Sequence, residues 1–164
     1  MLRRKVKVNN DKFYKRDSNL RIRVFKMIKT INMQVMRYIN LFAKISKIPP
    51  KHCFLYNNTI IFVVPENKVS LAIGENGSNI KKISKILERK IKVVMQPNGV
   101  EDAEKFIATI IYPTEMKGVE IDGEHLIINA GSQNKAMLIG RNKVRLEEMK
   151  KIIKNYFGKE LRIV

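Results

Sequence analysis

Apolar positions in this chain change period where turn residues stand, and the changes mark out helices and strands. Val35, Ile39, Phe42 and Ala43 fall at helical spacing in residues 30–47, and Pro49-Pro50 ends that run because proline lacks the backbone N–H a helix needs. His52–Tyr56 and Thr59–Val64 are rich in aromatic and β-branched residues. Between them stands Asn57-Asn58, a pair that tolerates the left-handed backbone of a tight turn, so a β-hairpin is expected. Pro65 opens the next segment, which carries Ile73-Gly74-Glu75-Asn76-Gly77-Ser78-Asn79-Ile80: an apolar helical stretch, a Gly-x-x-Gly corner and a second helix. In that second helix Ile80, Ile83, Ile86 and Leu87 form one stripe while Lys81, Lys82 and Lys85 point elsewhere. Residues 91–96 read as a closing strand.

The pattern then repeats. Pro97-Asn98-Gly99 is a turn, and Glu101-Asp102 starts a helix with acids near its positive end. Ala103, Phe106, Ile107, Ile110 and Ile111 give its stripe, stopped by Pro113. Residues 119–122 and 125–130 form a second hairpin around Asp122-Gly123. Ile73-Gly74 recurs 66 positions later as Ile139-Gly140, and the stripe recurs as Leu146, Met149, Ile152 and Ile153. A helix over 143–157, Gly158 as its C-cap and a strand over 160–164 complete the second copy. The connection of about four residues leaves little room for independent tumbling. The sheet-packing role is expected for Ile83, Ile86, Leu87, Met149 and Ile152.

The succession helix, Gly-x-x-Gly, helix, strand resembles the KH family of RNA-binding domains. With the preceding helix and hairpin it resembles the prokaryotic-type (type II) order, helix-strand-strand-helix-helix-strand. The resemblance covers residues 31–164 and implies an α+β fold of two tandem type II KH domains, each a three-stranded sheet with helices packed on one face. Their expected bounds are 30–97 and 98–164. Two such units with so short a connection resemble the archaeal NusA-like transcription factors, which implies nascent RNA as ligand, RNA polymerase nearby, and elongation or termination as the process affected.

The chemistry of the corner agrees with an anionic ligand. Glycine at a helix junction admits close backbone approach, and the next helix offers unsatisfied N–H groups and the positive end of its dipole. In the KH family such a corner clamps about four nucleotides of single-stranded RNA, whose bases lie in a groove of apolar and polar side chains. By resemblance the RNA-binding residues are Ile73, Gly74, Glu75, Asn76, Gly77, Ser78, Ile80, Lys81 and Lys82 in the first unit. In the second they are Ile139, Gly140, Arg141, Asn142, Lys143 and Arg145, with Leu146 bordering the groove. Asn76 and Asn142 read either as RNA contacts or as helix N-caps.

Both corners depart from the family pattern. Glu75 repels phosphate, and Lys143 stands in place of the second glycine, where its side chain is expected to obstruct close approach to the backbone. Arg141 is favourable. The first corner is therefore expected to supply backbone geometry and the second charge, with neither sufficient alone.

Composition narrows the partner. A net charge of +18 and a pI near 10.1 require a polyanion: RNA, DNA or an anionic membrane surface. No apolar run approaches the roughly 18 to 20 residues of a spanning helix, and the charged N-terminus lacks a signal-peptide core, so membrane is the least favoured. Residues 1–29 hold eleven Lys and Arg against Asp11 and Asp17. That run reads as a flexible basic arm adding phosphate contacts, or as solvated surface upstream of a start at Met27 or Met33. Cys53 is the only cysteine, which excludes an internal disulfide and a thiolate zinc site and suits a cytoplasmic protein.

Catalysis is not expected. His52 and His125 lie in separate strands without a second ligand at metal spacing, and His52 and Cys53, adjacent in one strand, point to opposite faces. The corners lack the Gly-Lys-Ser/Thr of a nucleotide-binding loop. No cofactor or metal is expected, and the chain reads as a monomer. Two further functions compete with the transcription reading: a ribosome-associated or ribosome-assembly factor bound to structured ribosomal RNA, and a duplex-DNA binder driven by charge.

Overall fold

Asn57 and Asn58 both adopt left-handed backbone, with φ of 48° and 59°. This is the turn whose twist matches the flanking strands. It joins β1 (His52–Tyr56) to β2 (Thr59–Val64) in antiparallel register, with Tyr56 opposite Thr59. The computed structural model describes residues 33–164, so the basic run at 1–29 lies outside the described residues. In the first repeat α1 (Met33–Ser46) precedes the hairpin, and α2 (Val69–Ile73), α3 (Ser78–Leu87) and β3 (Lys90–Met95) follow it. The second repeat runs α4 (Ala103–Ile111), β4 (Gly118–Asp122), β5 (His125–Asn129), α5 (Gly131–Ile139), α6 (Val144–Phe157) and β6 (Glu160–Ile163).

Each repeat closes the same kind of three-stranded sheet. The orders are β1-β2-β3 and β4-β5-β6, with the hairpin antiparallel and the last strand parallel to the middle one. The described residues are thus α+β, with two three-stranded sheets and six α-helices.

Several boundaries differ from those expected. β3 begins at Lys90, one residue early. Glu101 and Asp102 form a tight turn ahead of α4, and the Asp102 carboxylate accepts a hydrogen bond from the Asn98 N–H at 2.9 Å instead of capping the helix. The second hairpin turns on Gly123-Glu124, because Asp122 pairs with His125 and Gly123 supplies the positive φ of 53°.

The buried face of α1 is centred on Tyr38, Phe42 and Ser46, with Ile39 and Ala43 only half-buried at its margin. Ser46 tolerates burial because its hydroxyl donates to the Phe42 carbonyl at 2.8 Å and accepts from the Ile48 N–H at 3.2 Å. In α3 the buried sector passes through Ile83, with Ile80 and Leu87 half-buried, while Ile86 is 59 % exposed. Ile86 was expected to pack on the sheet. At about 100° per residue it lies roughly a quarter turn away from the centre of the other three.

β2 reads Thr-Ile-Ile-Phe-Val-Val, and both of its faces are covered. Such an unbroken apolar strand is what double-sided burial requires. On one face Ile60, Phe62, Val64 and Val93 meet α1 to α3, and the Phe42 ring stacks on Phe62 with centroids 4.2 Å apart. On the other face Tyr56, Ile61, Val63 and Val94 share one cluster with Phe106, Ile107 and Ile110 of α4 and with Met149, Ile152 and Ile153 of α6. The same cluster includes Leu126 and Ile128 of β5 and Leu161 of β6. Helices on one face only therefore does not describe the first sheet, whose second face is closed by the second repeat.

Strand alternation sends His52 and Cys53 to opposite sides. Cys53 packs against the α1 to α3 cluster, whereas His52 lies edge-on to the Tyr156 ring at 4.7 Å. Burial, with the nearby charge of Lys51, holds the His52 pKa below its ordinary value.

Candidate nucleic-acid interface

Each Gly-x-x-Gly corner is built by the same backbone path. Gly74 has φ 80° and ψ 165°, and Gly140 has 71° and 169°. Asn76 and Asn142 follow at 52°, 27° and 54°, 24°, then Gly77 and Lys143 at 72°, 21° and 60°, 19°. In both corners the first glycine N–H bonds back into the preceding helix, Gly74 to the Ser70 carbonyl and Gly140 to the Ala136 carbonyl, each at 3.0 Å. The fourth residue N–H then closes the turn on the first glycine carbonyl, at 3.0 Å for Gly77 and 3.2 Å for Lys143.

A pair of side chains two positions beyond the fourth residue stabilises this path. Asn79 Nδ2 donates to the Leu71 carbonyl at 3.2 Å, and Arg145 donates through one guanidinium nitrogen to the Met137 carbonyl at 2.9 Å. Asn79 and Arg145 are 66 positions apart, as are Leu71 and Met137. Sequence reasoning assigned no role to Asn79 and gave Arg145 to phosphate. In the structure both side chains tie the last turn of one helix to the first turn of the next. The signal was present in their shared offset, but two such different side chains conceal a common function.

The first glycine of each corner is required by space as well as by φ. A Cβ on Gly74 would lie 2.7 Å from Ser78 Oγ and 2.9 Å from the Asn79 side chain, and one on Gly140 would lie 2.8 Å from Arg145 Cγ. The fourth position is different, since at Gly77 the nearest atom is Lys81 Cε at 3.9 Å. Lys143 accordingly occupies that position with unchanged backbone and an exposed side chain. Gly74→Ala is expected to cost about 2 kcal/mol, from left-handed strain plus displacement of Asn79, whereas Gly77→Ala costs about 1 kcal/mol from strain alone. Urea unfolding of the two variants measures the difference.

Neither asparagine is a helix cap. The N-cap positions of α3 and α6 fall to Gly77 and Lys143, without side-chain capping bonds. Asn76 and Asn142 hold the left-handed step itself, which asparagine adopts more readily than most residues.

Charge is distributed oppositely in the two repeats. Glu75, Gly77, Lys81 and Lys82 correspond to Arg141, Lys143, Glu147 and Glu148. The first repeat places its cations on the helix and the second places them in the loop. The acids of α6 are engaged: Glu147 pairs with Lys150 at 2.8 Å, and Glu148 Oε2 accepts from the Asn57 N–H at 2.9 Å. The hydrogen bond to Lys150, helped by the charges of Lys150, Lys151 and Lys143, holds the Glu147 carboxyl below its ordinary pKa.

Glu75, Asn76, Lys81 and Lys82 are exposed, as are Arg141, Asn142 and Lys143. Beside them Ile73, Gly74, Gly77, Ser78, Ile80, Ile139, Gly140, Arg145 and Leu146 are half-buried. Both corners therefore face outward, with apolar side chains at their margins. Among the described residues no cluster of three or more His, Cys, Asp or Glu could hold a metal, and no helix is long and apolar enough to cross a membrane.

Residues 36–98 match the KH domain family model. KH domains as a class are nucleic-acid-binding modules. The chain is similar to the protein named "Probable transcription termination protein NusA" of Methanocaldococcus jannaschii, 26% identical over 133 residues, which is 79% of this chain and 70% of that one. It is similar also to the protein of the same name from Halococcus morrhuae, 21% identical over 131 residues, 78% of this chain and 92% of that one. The corresponding Methanococcus vannielii protein is 30% identical over 103 residues, 62% of this chain and 57% of that one. Among solved structures, the crystal structure of APE1850 shares the fold, with a TM-score of 0.56 at 23% identity over 82% of this chain and 100% of that chain.

Proposed function

We propose, on the premise that residues 36–98 form a KH domain, that this chain is a tandem KH protein binding one single-stranded RNA at two corners, 74–77 and 140–143. In this reading residues 30–97 and 98–164 are two type II KH domains. The observation that carries it is the recurrence, 66 positions apart, of one unusual backbone path with three positive-φ steps and an outward-facing loop. Glycine at such a step serves close approach of a ligand to the main chain, and asparagine tolerates the left-handed backbone that shapes the loop. Phosphate is the ligand that a helix N-terminus and neighbouring Lys and Arg side chains favour.

The RNA is taken to be nascent transcript, with elongation or termination by RNA polymerase as the process affected. The names of the similar archaeal proteins support that part. Lys81 and Lys82 supply phosphate contacts in the first domain, and Arg141 and Lys143 supply them in the second. Ile73 and Ile80, with Ile139 and Leu146, border the base grooves.

The test is the salt dependence of binding to single-stranded RNA against duplex DNA. About six neutralised phosphates give a slope of about −4 in log K against log salt for single strands. A slope near zero, or preference for duplex DNA, would sink the clamp. Crosslinking in the native cell addresses the transcript: enrichment along nascent RNA is expected, and enrichment in ribosomal RNA overturns that assignment.

A further inference from the structure

The last turn of α4 ends in carbonyls that its own helix does not satisfy. Lys92, from β3 of the first repeat, reaches them: its Nζ donates to Thr109 O at 2.9 Å, Tyr112 O at 3.2 Å and Ile110 O at 3.3 Å. The ammonium also lies 5.8 Å from the centre of the Tyr112 ring. A cation at the negative end of a helix is favourable, and here helix and cation belong to different repeats.

Register explains why Lys92 can reach. Phe54, Ile61 and Lys92 are cross-strand neighbours on one face of the first sheet, the face that meets α4 and α6. At another point of that boundary the Asn57 N–H bonds Glu148 Oε2 at 2.9 Å. Along α4 an open cleft of about 330 Å³ separates the repeats, lined by Glu66, Val69, Met95, Asp102, Lys105 and Thr109. Apolar contact is non-directional, so the directed bonds beside this cleft define the relative rotation more sharply than the shared core does alone.

We infer that Lys92 is a positioning residue for RNA: by capping α4 it fixes the second repeat on the first, and so sets the affinity for any strand long enough to reach both corners. The inference rests on the two-corner reading above. When two sites are held at a fixed separation, engagement of the first raises the effective concentration at the second, and rotational play lowers it.

The test uses the full chain and a length series of single-stranded oligonucleotides, roughly 4 to 20 nucleotides. Wild type is expected to show a step in affinity where the strand first spans both corners. Lys92→Met should leave binding of the shortest strands within about twofold and reduce the step at least about fivefold. Lys92→Arg should restore part of the step, and Lys44→Met, an exposed charge-matched change in α1, should leave it intact. Spin labels at Lys44→Cys and Asn155→Cys report the geometry directly, with a narrow distance distribution expected in wild type and a broad one in Lys92→Met. Cys53 interferes little, since burial pushes its thiol pKa up to about 12.

A uniform loss across all lengths, an unchanged step, or an unbroadened distance distribution overturns the role given to Lys92. Absence of any step in wild type overturns the two-corner reading, and this inference with it. Should Lys92→Met fail to fold, Glu148→Ala loosens the other polar contact and must reduce the same step.

Discussion

Replacing Arg141 and Asn142 together by aspartates is expected to weaken binding of a single-stranded RNA of about 12 nucleotides by roughly a hundredfold. The same pair of aspartates at Glu75 and Asn76 should weaken it only about fivefold. The difference follows from charge. Arg141→Asp with Asn142→Asp changes the second corner by three units, whereas Glu75→Asp with Asn76→Asp changes the first by one. A unit charge about 4 Å from a phosphate in a water-like dielectric is worth about 1 kcal/mol, and each 1.4 kcal/mol is tenfold.

The fold is expected to survive both changes. Asn76 and Asn142 have φ of 52° and 54°, a region that aspartate enters nearly as readily as asparagine, and both side chains are exposed. Fluorescence anisotropy at about 0.1 M salt, with far-ultraviolet circular dichroism as the folding control, measures the effect. Equal losses at the two corners would mean that backbone geometry dominates over loop charge. A full loss from the Glu75 and Asn76 change with none from the other would assign the RNA to the first corner alone.

The local elements were legible in the sequence because each was specified by neighbours. Asn57-Asn58 between two β-branched runs fixed the first hairpin, and Gly158 marked the end of α6, where its N–H bonds the Lys154 carbonyl at 3.0 Å. What local pattern did not convey was the relation of one element to another. Ile86 obeys helical periodicity and is nevertheless exposed, because the sector facing the sheet is set by where the sheet lies. The charge of Arg145 was legible, but only the fold reveals the Met137 carbonyl within its reach. The double-sided burial of the first sheet had a visible trace in the unbroken apolar run of β2, a pattern that a one-faced sheet does not need. Lys92 left no such trace, since an exposed-looking lysine in a strand reads the same whether or not a helix terminus stands opposite.

That shared core leads to the second large effect. Phe106 of α4 is 4 % exposed, with ring centroids 4.9 Å from Tyr156, 5.9 Å from Phe157 and 6.5 Å from Phe54. Its contacts thus include β1 of the first repeat and α6 of the second. Phe106→Ala is expected to cost about 3–5 kcal/mol, a large part of the roughly 5–15 kcal/mol available to a domain of ordinary stability. Because Ile61 and Val63 of β2 belong to the same buried cluster as Leu126 and Ile128 of β5, the loss must be felt in both sheets. Native-state amide exchange reads this directly, since protection at Val63 and at Ile128 should fall by the same free energy. Ile86→Ala, on an exposed side chain, should change neither by more than about 0.5 kcal/mol. If Phe106→Ala weakens β5 while β2 keeps its protection, the repeats unfold separately. The fixed separation that two corners on one strand demand would then have no thermodynamic support.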